Sequence, residues 1–145
     1  MSKRDRYHNA LRRTLEKDGW TITADPLILR LEGNDLKADL GAEKTFAAEK
    51  AGRKIAIELK EFTAISAVSE LEKTIGQLQL YQWALDGQEP DRRLFLAVSE
   101  MAYVKHFEKP LFQLVMQRNK INLLIYQPES EEIVEWITHN DMPSF

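Results

Sequence analysis

Apolar residues recur along the chain at two spacings, and the switch between them marks out the elements. Tyr7, Ala10, Leu11, Thr14 and Leu15 repeat at helical spacing, and Gly19 supplies a stop just before Trp20. That pattern predicts an amphipathic first helix. Leu27–Leu31 and Leu36–Leu40 then read as short strands separated by the turn signal Glu32-Gly33-Asn34-Asp35, and Thr45–Lys50 and Arg53–Phe62 as extended pieces around Ala51-Gly52. Ser69-Glu70-Leu71-Glu72 has the S-x-x-E form of a capping box, and Leu71, Ile75, Leu78 and Leu85 follow along one helical stripe that ends at Asp86-Gly87. Leu94–Val98 is continuously apolar, as expected of a central strand covered on both sides. A third helical region spans about Tyr103 to Asn119, where Pro110 either kinks the helix or opens a new one. Ile121–Tyr126 and Ile133–Ile137 close the chain as strands. The fold class is α/β: a three-layer arrangement with a mixed central sheet flanked by helices.

Composition narrows the function classes. At 145 residues the chain is expected to be a single domain, and 43% hydrophobic with 30% charged residues excludes disorder and a membrane-embedded body. No run reaches the roughly 18 apolar residues of a spanning helix, and MSKRDRYHNALRR lacks the apolar centre of a signal peptide, so a cytoplasmic location is expected. The absence of cysteine removes disulfides, thiol nucleophiles and cysteine-held zinc. His8, His106 and His139 form no H-x-x-x-H pair, the glycines form no phosphate-cradling loop, and Ser66, Ser69 and Ser99 lack a nucleophile elbow. Any metal is therefore expected on hard oxygen ligands. Trp20, Trp83 and Trp136 read most simply as core or interface anchors.

A net charge of −3 is not the bulk footprint of a nucleic-acid binder, yet the charge is unevenly spread. Residues 1–17 carry a net +4, whereas residues 129–145 hold Glu129, Glu131, Glu132, Glu135 and Asp141 with no lysine or arginine. The bland reading is a solvated helix face and an acidic tail. The functional one is phosphate contact, chiefly through Arg12, Arg13 and Lys17.

The candidate chemistry lies in KIAIELK, Lys54–Lys60. In a strand Ala56, Glu58 and Lys60 share one side and Ile55, Ile57 and Leu59 the other, so the acid and the base form either the wet face of an ordinary strand or part of a site. An upstream acid, Asp39 in LKADLGAEK, favours the second. Two carboxylates, Asp39 and Glu58, with the Leu59 carbonyl between Glu58 and Lys60, can hold one or two Mg²⁺ or Mn²⁺ ions, and Lys60 can position or deprotonate an attacking water. Eighteen residues separate Asp39 from Glu58, so Glu43 is a rival for the first ligand.

This arrangement resembles the PD-(D/E)xK nuclease superfamily, although Ala38 stands where a proline is common. The resemblance implies a further acid on the first helix, here Glu16, and a Q-x-x-x-Y pair, here Gln77 and Tyr81, on a helix lining a DNA site. A closer resemblance runs over about residues 5–138: EKDGWTITADPL, DLGAEKTFAAEKAGRKIAIELKEF, IGQLQLYQWAL, RRLFLAVS and LLIYQPESEEIVEWI are similar to the XisH-type family, the fdxN-element excision controlling factors of cyanobacteria. That likeness implies a restriction endonuclease-like fold and an accessory role in programmed DNA excision during heterocyst differentiation, beside a recombinase and a XisI-type protein partner. Two expectations follow. One is a Mg²⁺-dependent DNA endonuclease; the other is an inactive nuclease-fold module that works by assembly with a XisI-type protein. A homodimer is also expected to be compatible with either.

Overall fold

The first helix, α1 (Lys3–Lys17), ends as its sequence requires: Gly19 takes φ +95°, Gly19 N donates to Glu16 O and Trp20 N to Leu15 O, the paired bonds of a Schellman stop. Leu11 and Leu15, one turn apart, are fully buried. The structure, a computed structural model, describes residues 3–36 and 45–139.

After α1 come β1 (Thr21–Ala24), β2 (Arg30–Leu31), β3 (Asn34–Asp35), β4 (Thr45–Lys50) and β5 (Arg53–Leu59). β4 and β5 are joined by the two-residue turn Ala51-Gly52, with φ +52° and +80°, so Lys50 faces Arg53 and, five residues back along each strand, Thr45 faces Glu58. The long helix α2 (Ala67–Gln88) leads to β6 (Arg92–Ser99); α3 (Glu100–Ala102), a π-helical turn (Tyr103–Phe107) and α4 (Pro110–Arg118) lead to β7 (Asn122–Gln127) and β8 (Glu132–Ile137). The six-stranded sheet has the order β1-β4-β5-β6-β7-β8, with β5, β6 and β7 parallel and the other neighbours antiparallel.

Both parallel crossovers lie on one face. There Leu71, Leu78 and Tyr81 of α2 and Phe112 and Met116 of α4 pack on Ala56, Leu96, Val98 and Leu123. On the other face Leu11, Leu15 and Trp20 cover Phe46, Ile55, Ile57, Phe95 and Leu124. The result is helix, mixed sheet, helix, the predicted three-layer α/β arrangement, with LFLAV in the middle of the sheet and buried on both sides.

Several local expectations change. Only Arg30–Leu31 of the expected strand Leu27–Leu31 is extended, paired with Asn34–Asp35 in a separate hairpin; Leu27, Leu29 and Leu36 plug into the α2-side core instead. Residues 37–40 of the second expected strand lie outside the described residues. β1 was not foreseen, because four residues with alternating half-burial give almost no periodic signal. The N-cap of α2 is Ser66, whose Oγ accepts from Ser69 N at 3.1 Å, so the helix starts before the expected capping box. Pro110 opens a new helix at its first position, as the second of the two alternatives had it. β5 stops at Leu59 rather than Phe62, and Trp83 is an exposed side chain, not a core one.

Candidate active site

Glu58 and Lys60 are not a wet strand face. Period-two alternation turns Ile55, Ile57 and Leu59 toward α1 and Ala56 and Glu58 toward α2, and α2 with the second crossover covers that side, leaving Glu58 0% and Lys60 6% exposed. Lys60 N donates to Ala97 O at 3.1 Å, which carries the β5–β6 register one residue past the strand end and keeps Lys60 beside Glu58. The Lys60 Nζ lies 3.7 Å from Glu58 Oε2. On the opposite side, buried Thr45 donates its hydroxyl to Glu58 Oε1 at 2.7 Å. The pair stands at the carboxyl ends of the parallel strands β5 and β6, where open α/β sheets place their ligand sites.

The chain leaving the pair is clamped. Phe62, at φ +56°, meets Phe107 edge-on at 4.9 Å and Phe112 at 6.0 Å, and the His106 ring lies 6.4 Å away. His106 and Phe107 come from the π-helical turn, a geometry often found next to functional sites. Burial, with repulsion from Lys105 and Lys109, holds the His106 imidazole below its ordinary pKa. Gln77 and Tyr81 are also on the α2 side, and both are buried: Tyr81 packs in the core with Ala56 and Leu96. Leu59 sends its side chain into the α1-side core, so only its backbone is available to the site.

Other expected members are elsewhere. Asp39 and Glu43, the two candidates for the first carboxylate, lie outside the described residues. Glu16 is exposed on α1, across the sheet from the face that carries Glu58. Arg12 Nη1 and His8 Nε2 share Asp25 Oδ2 at 2.8 and 2.7 Å, Arg13 Nε meets Glu131 Oε2 at 2.5 Å, and Lys17 Nζ meets Ser130 O at 3.0 Å. The basic helix thus lies against the acidic turn between β7 and β8, and the two charge-biased ends of the sequence meet within the molecule.

As a metal centre, the described residues fit in part. Glu58 offers a hard oxygen beside a lysine amine, the donor types that Mg²⁺ chemistry uses, but among the described residues no group of three His, Asp or Glu side chains converges. Thr45 was missed by sequence reasoning, although the two-residue turn at Ala51-Gly52 was enough to put it opposite Glu58.

A family model described as XisH protein matches residues 1–134. Two solved structures are similar at 38% identity and a TM-score of 0.84, each covering 92% of this chain: an XisH family protein from Nostoc punctiforme, covered over 100% of its length, and an fdxN element excision controlling factor protein from Anabaena variabilis, covered over 99%. No curated protein matches. Among the described residues no helix is long and apolar enough to cross a membrane.

Proposed function

Because the chain belongs to the XisH family, we propose that it serves as an excision controlling factor whose PD-(D/E)xK-type site, built on Glu58 and Lys60, cleaves DNA with Mg²⁺ or Mn²⁺. One observation carries this reading: a glutamate and a lysine are buried together at the carboxyl ends of parallel strands. Desolvating two ions costs several kcal/mol each, and well-packed apolar residues in such a place are often neutral or better for stability. A fold that needed only a covered strand would have continued the apolar pattern of Ala56.

In this site Glu58 and the Leu59 carbonyl would hold the cation, with Asp39 or Glu43 as the other carboxylate. Asp39 is six residues from Thr45, a reach of at most about 20 Å, and Glu43 is closer still. Lys60 holds the attacking water, or takes its proton, beside Glu58 Oε2. Bound magnesium would supply the Lewis acidity and charge neutralisation that phosphodiester cleavage needs. Gln77 and Tyr81 belong to the buried side of α2, the helix that covers the sheet face carrying the site. Glu16, on the far face, has no part in it. Arg13 and Lys17 remain near the surface, and phosphate contact there would exchange Glu131 and Ser130 for DNA.

Purified protein incubated with supercoiled, linear and branched DNA and Mg²⁺ or Mn²⁺ tests this. Metal-dependent cleavage is expected, reduced about 100-fold or more in Lys60→Ala and lost in step in Glu58→Ala. Equal behaviour of all three proteins rejects it.

A second reading, an inactive module acting through a XisI-type partner, has its own support. Arg13 and Lys17 of the basic helix are already engaged by Glu131 and the Ser130 carbonyl of the molecule's own acidic turn, and Met101, Val104, Leu111 and Leu114 are exposed along the second crossover. A stable complex with such a partner, unaffected by chelator and without DNA cleavage, is the result that favours it.

A further inference from the structure

The geometry points to Thr45 as a positioning residue for Glu58: we propose that its hydroxyl fixes one carboxylate oxygen so that the other is held toward Lys60 and the cation. This inference rests on Glu58 being a metal ligand.

Three observations carry it. Thr45 and Glu58 are direct partners across the β4–β5 hairpin, and neither has exposed surface. The Thr45 hydroxyl donates to Oε1 at 2.7 Å, the length of a charge-assisted O–H···O⁻ bond, while Oε2 is the oxygen near Lys60 Nζ. The threonine is itself immobilised. Its carbonyl accepts from Leu27 N at 2.6 Å, its ladder runs to β5, and a β-branched side chain has little χ1 freedom. A glutamate carboxyl, by contrast, turns through a broad terminal torsion, and a fixed donor on one oxygen narrows that range. The hydrogen bond therefore decides which oxygen is offered. A valine in this place would fill the same space with no bond to give, so the hydroxyl matters here for orientation and not for packing.

The sequence supports the assignment independently of any metal. β4 reads TFAAEK, and on its α2-facing side Thr45 is followed by Ala47, a small apolar residue. Glu49 follows on that side where it is no longer buried, so of the two buried positions the polar one is the one opposite the buried glutamate.

The test is equilibrium Mn²⁺ binding to the full chain, followed by the free-ion EPR signal, for wild type, Glu58→Ala, Thr45→Val, Thr45→Ala and Thr45→Ser, with a thermal melt confirming that each is folded. Removal of an outer partner of a metal-ligating group typically weakens the site about 10- to 100-fold. That loss is expected in Thr45→Val and Thr45→Ala, whichever of the two is better folded. Thr45→Ser, which keeps the donor, is expected within about threefold of wild type. If the hydroxyl-free variants bind like wild type while Glu58→Ala does not, Thr45 has no positioning role. Equal weakening in Thr45→Ser and Thr45→Val also overturns the proposal, because shape rather than the hydrogen bond would then be what counts. If wild type and Glu58→Ala titrate alike, Glu58 is not a ligand, and both this inference and the reading beneath it fall.

Discussion

At the scale of single residues, the molecule places ionisable groups where their environment gives them direction. Glu58 stands between the Thr45 hydroxyl and the Lys60 amine, and Arg92 lies across the far end of the same strands, bonded to Ala48 O, Ile55 O, Glu49 and Glu89. Arg92 is a strut: its charge is met by two carboxylates and two carbonyls. His106 is a titratable group with a pH consequence near neutrality. Its folded-state pKa lies below the ordinary 6.5, so the native protein resists a proton that the unfolded chain accepts. Stability is therefore fully present above about pH 6.5 and declines as pH falls toward the lowered value. The urea midpoint is expected to drop between about pH 7 and pH 5.5, and His106→Gln to flatten part of that slope. A slope unchanged by the substitution assigns the effect to other groups.

Elements differ in how far they can be read before folding. α1 and its stop were legible because Leu11, Leu15 and Gly19 each act within a few residues, and β6 was legible because five consecutive apolar residues have no wet side to serve. β5 was legible as a strand but not as a site. Its alternation separated Ile55, Ile57 and Leu59 from Glu58 and Lys60, while the cover over the second set comes from α2 and α4, elements that no local pattern ties to it. The same limit hid the pairing of α1 with the β7–β8 turn, whose contacts join residues more than 100 positions apart. The hairpin turn is testable by itself. Ala51 sits at φ +52°, where a Cβ is unfavourable and where type I′ turns prefer asparagine. Ala51→Asn is expected to raise stability by up to about 1 kcal/mol by chemical denaturation. A loss would mean that the turn is shaped by something other than its own backbone.

For the whole molecule, the arrangement of layers brings the two charge-biased stretches of the sequence together. The basic start and the acidic end read as a solvated or phosphate-binding helix and an acidic tail, and the fold sets Arg13 and Lys17 of the one against Glu131 and Ser130 of the other. What the charged residues do at the surface is modest, since exposed ion pairs contribute about 1 kcal/mol or less. The buried pair is different: on the proposed function, Glu58 and Lys60 are kept for chemistry and not for the fold. The most direct measurement is the urea unfolding free energy of the Glu58→Leu, Lys60→Met double variant against wild type and Glu58→Ala. Removing one partner strands a buried charge and is expected to cost about 3–5 kcal/mol, whereas the apolar pair is expected to match or exceed wild type. A double variant that loses as much as Glu58→Ala would make the pair a structural necessity and contradict that claim.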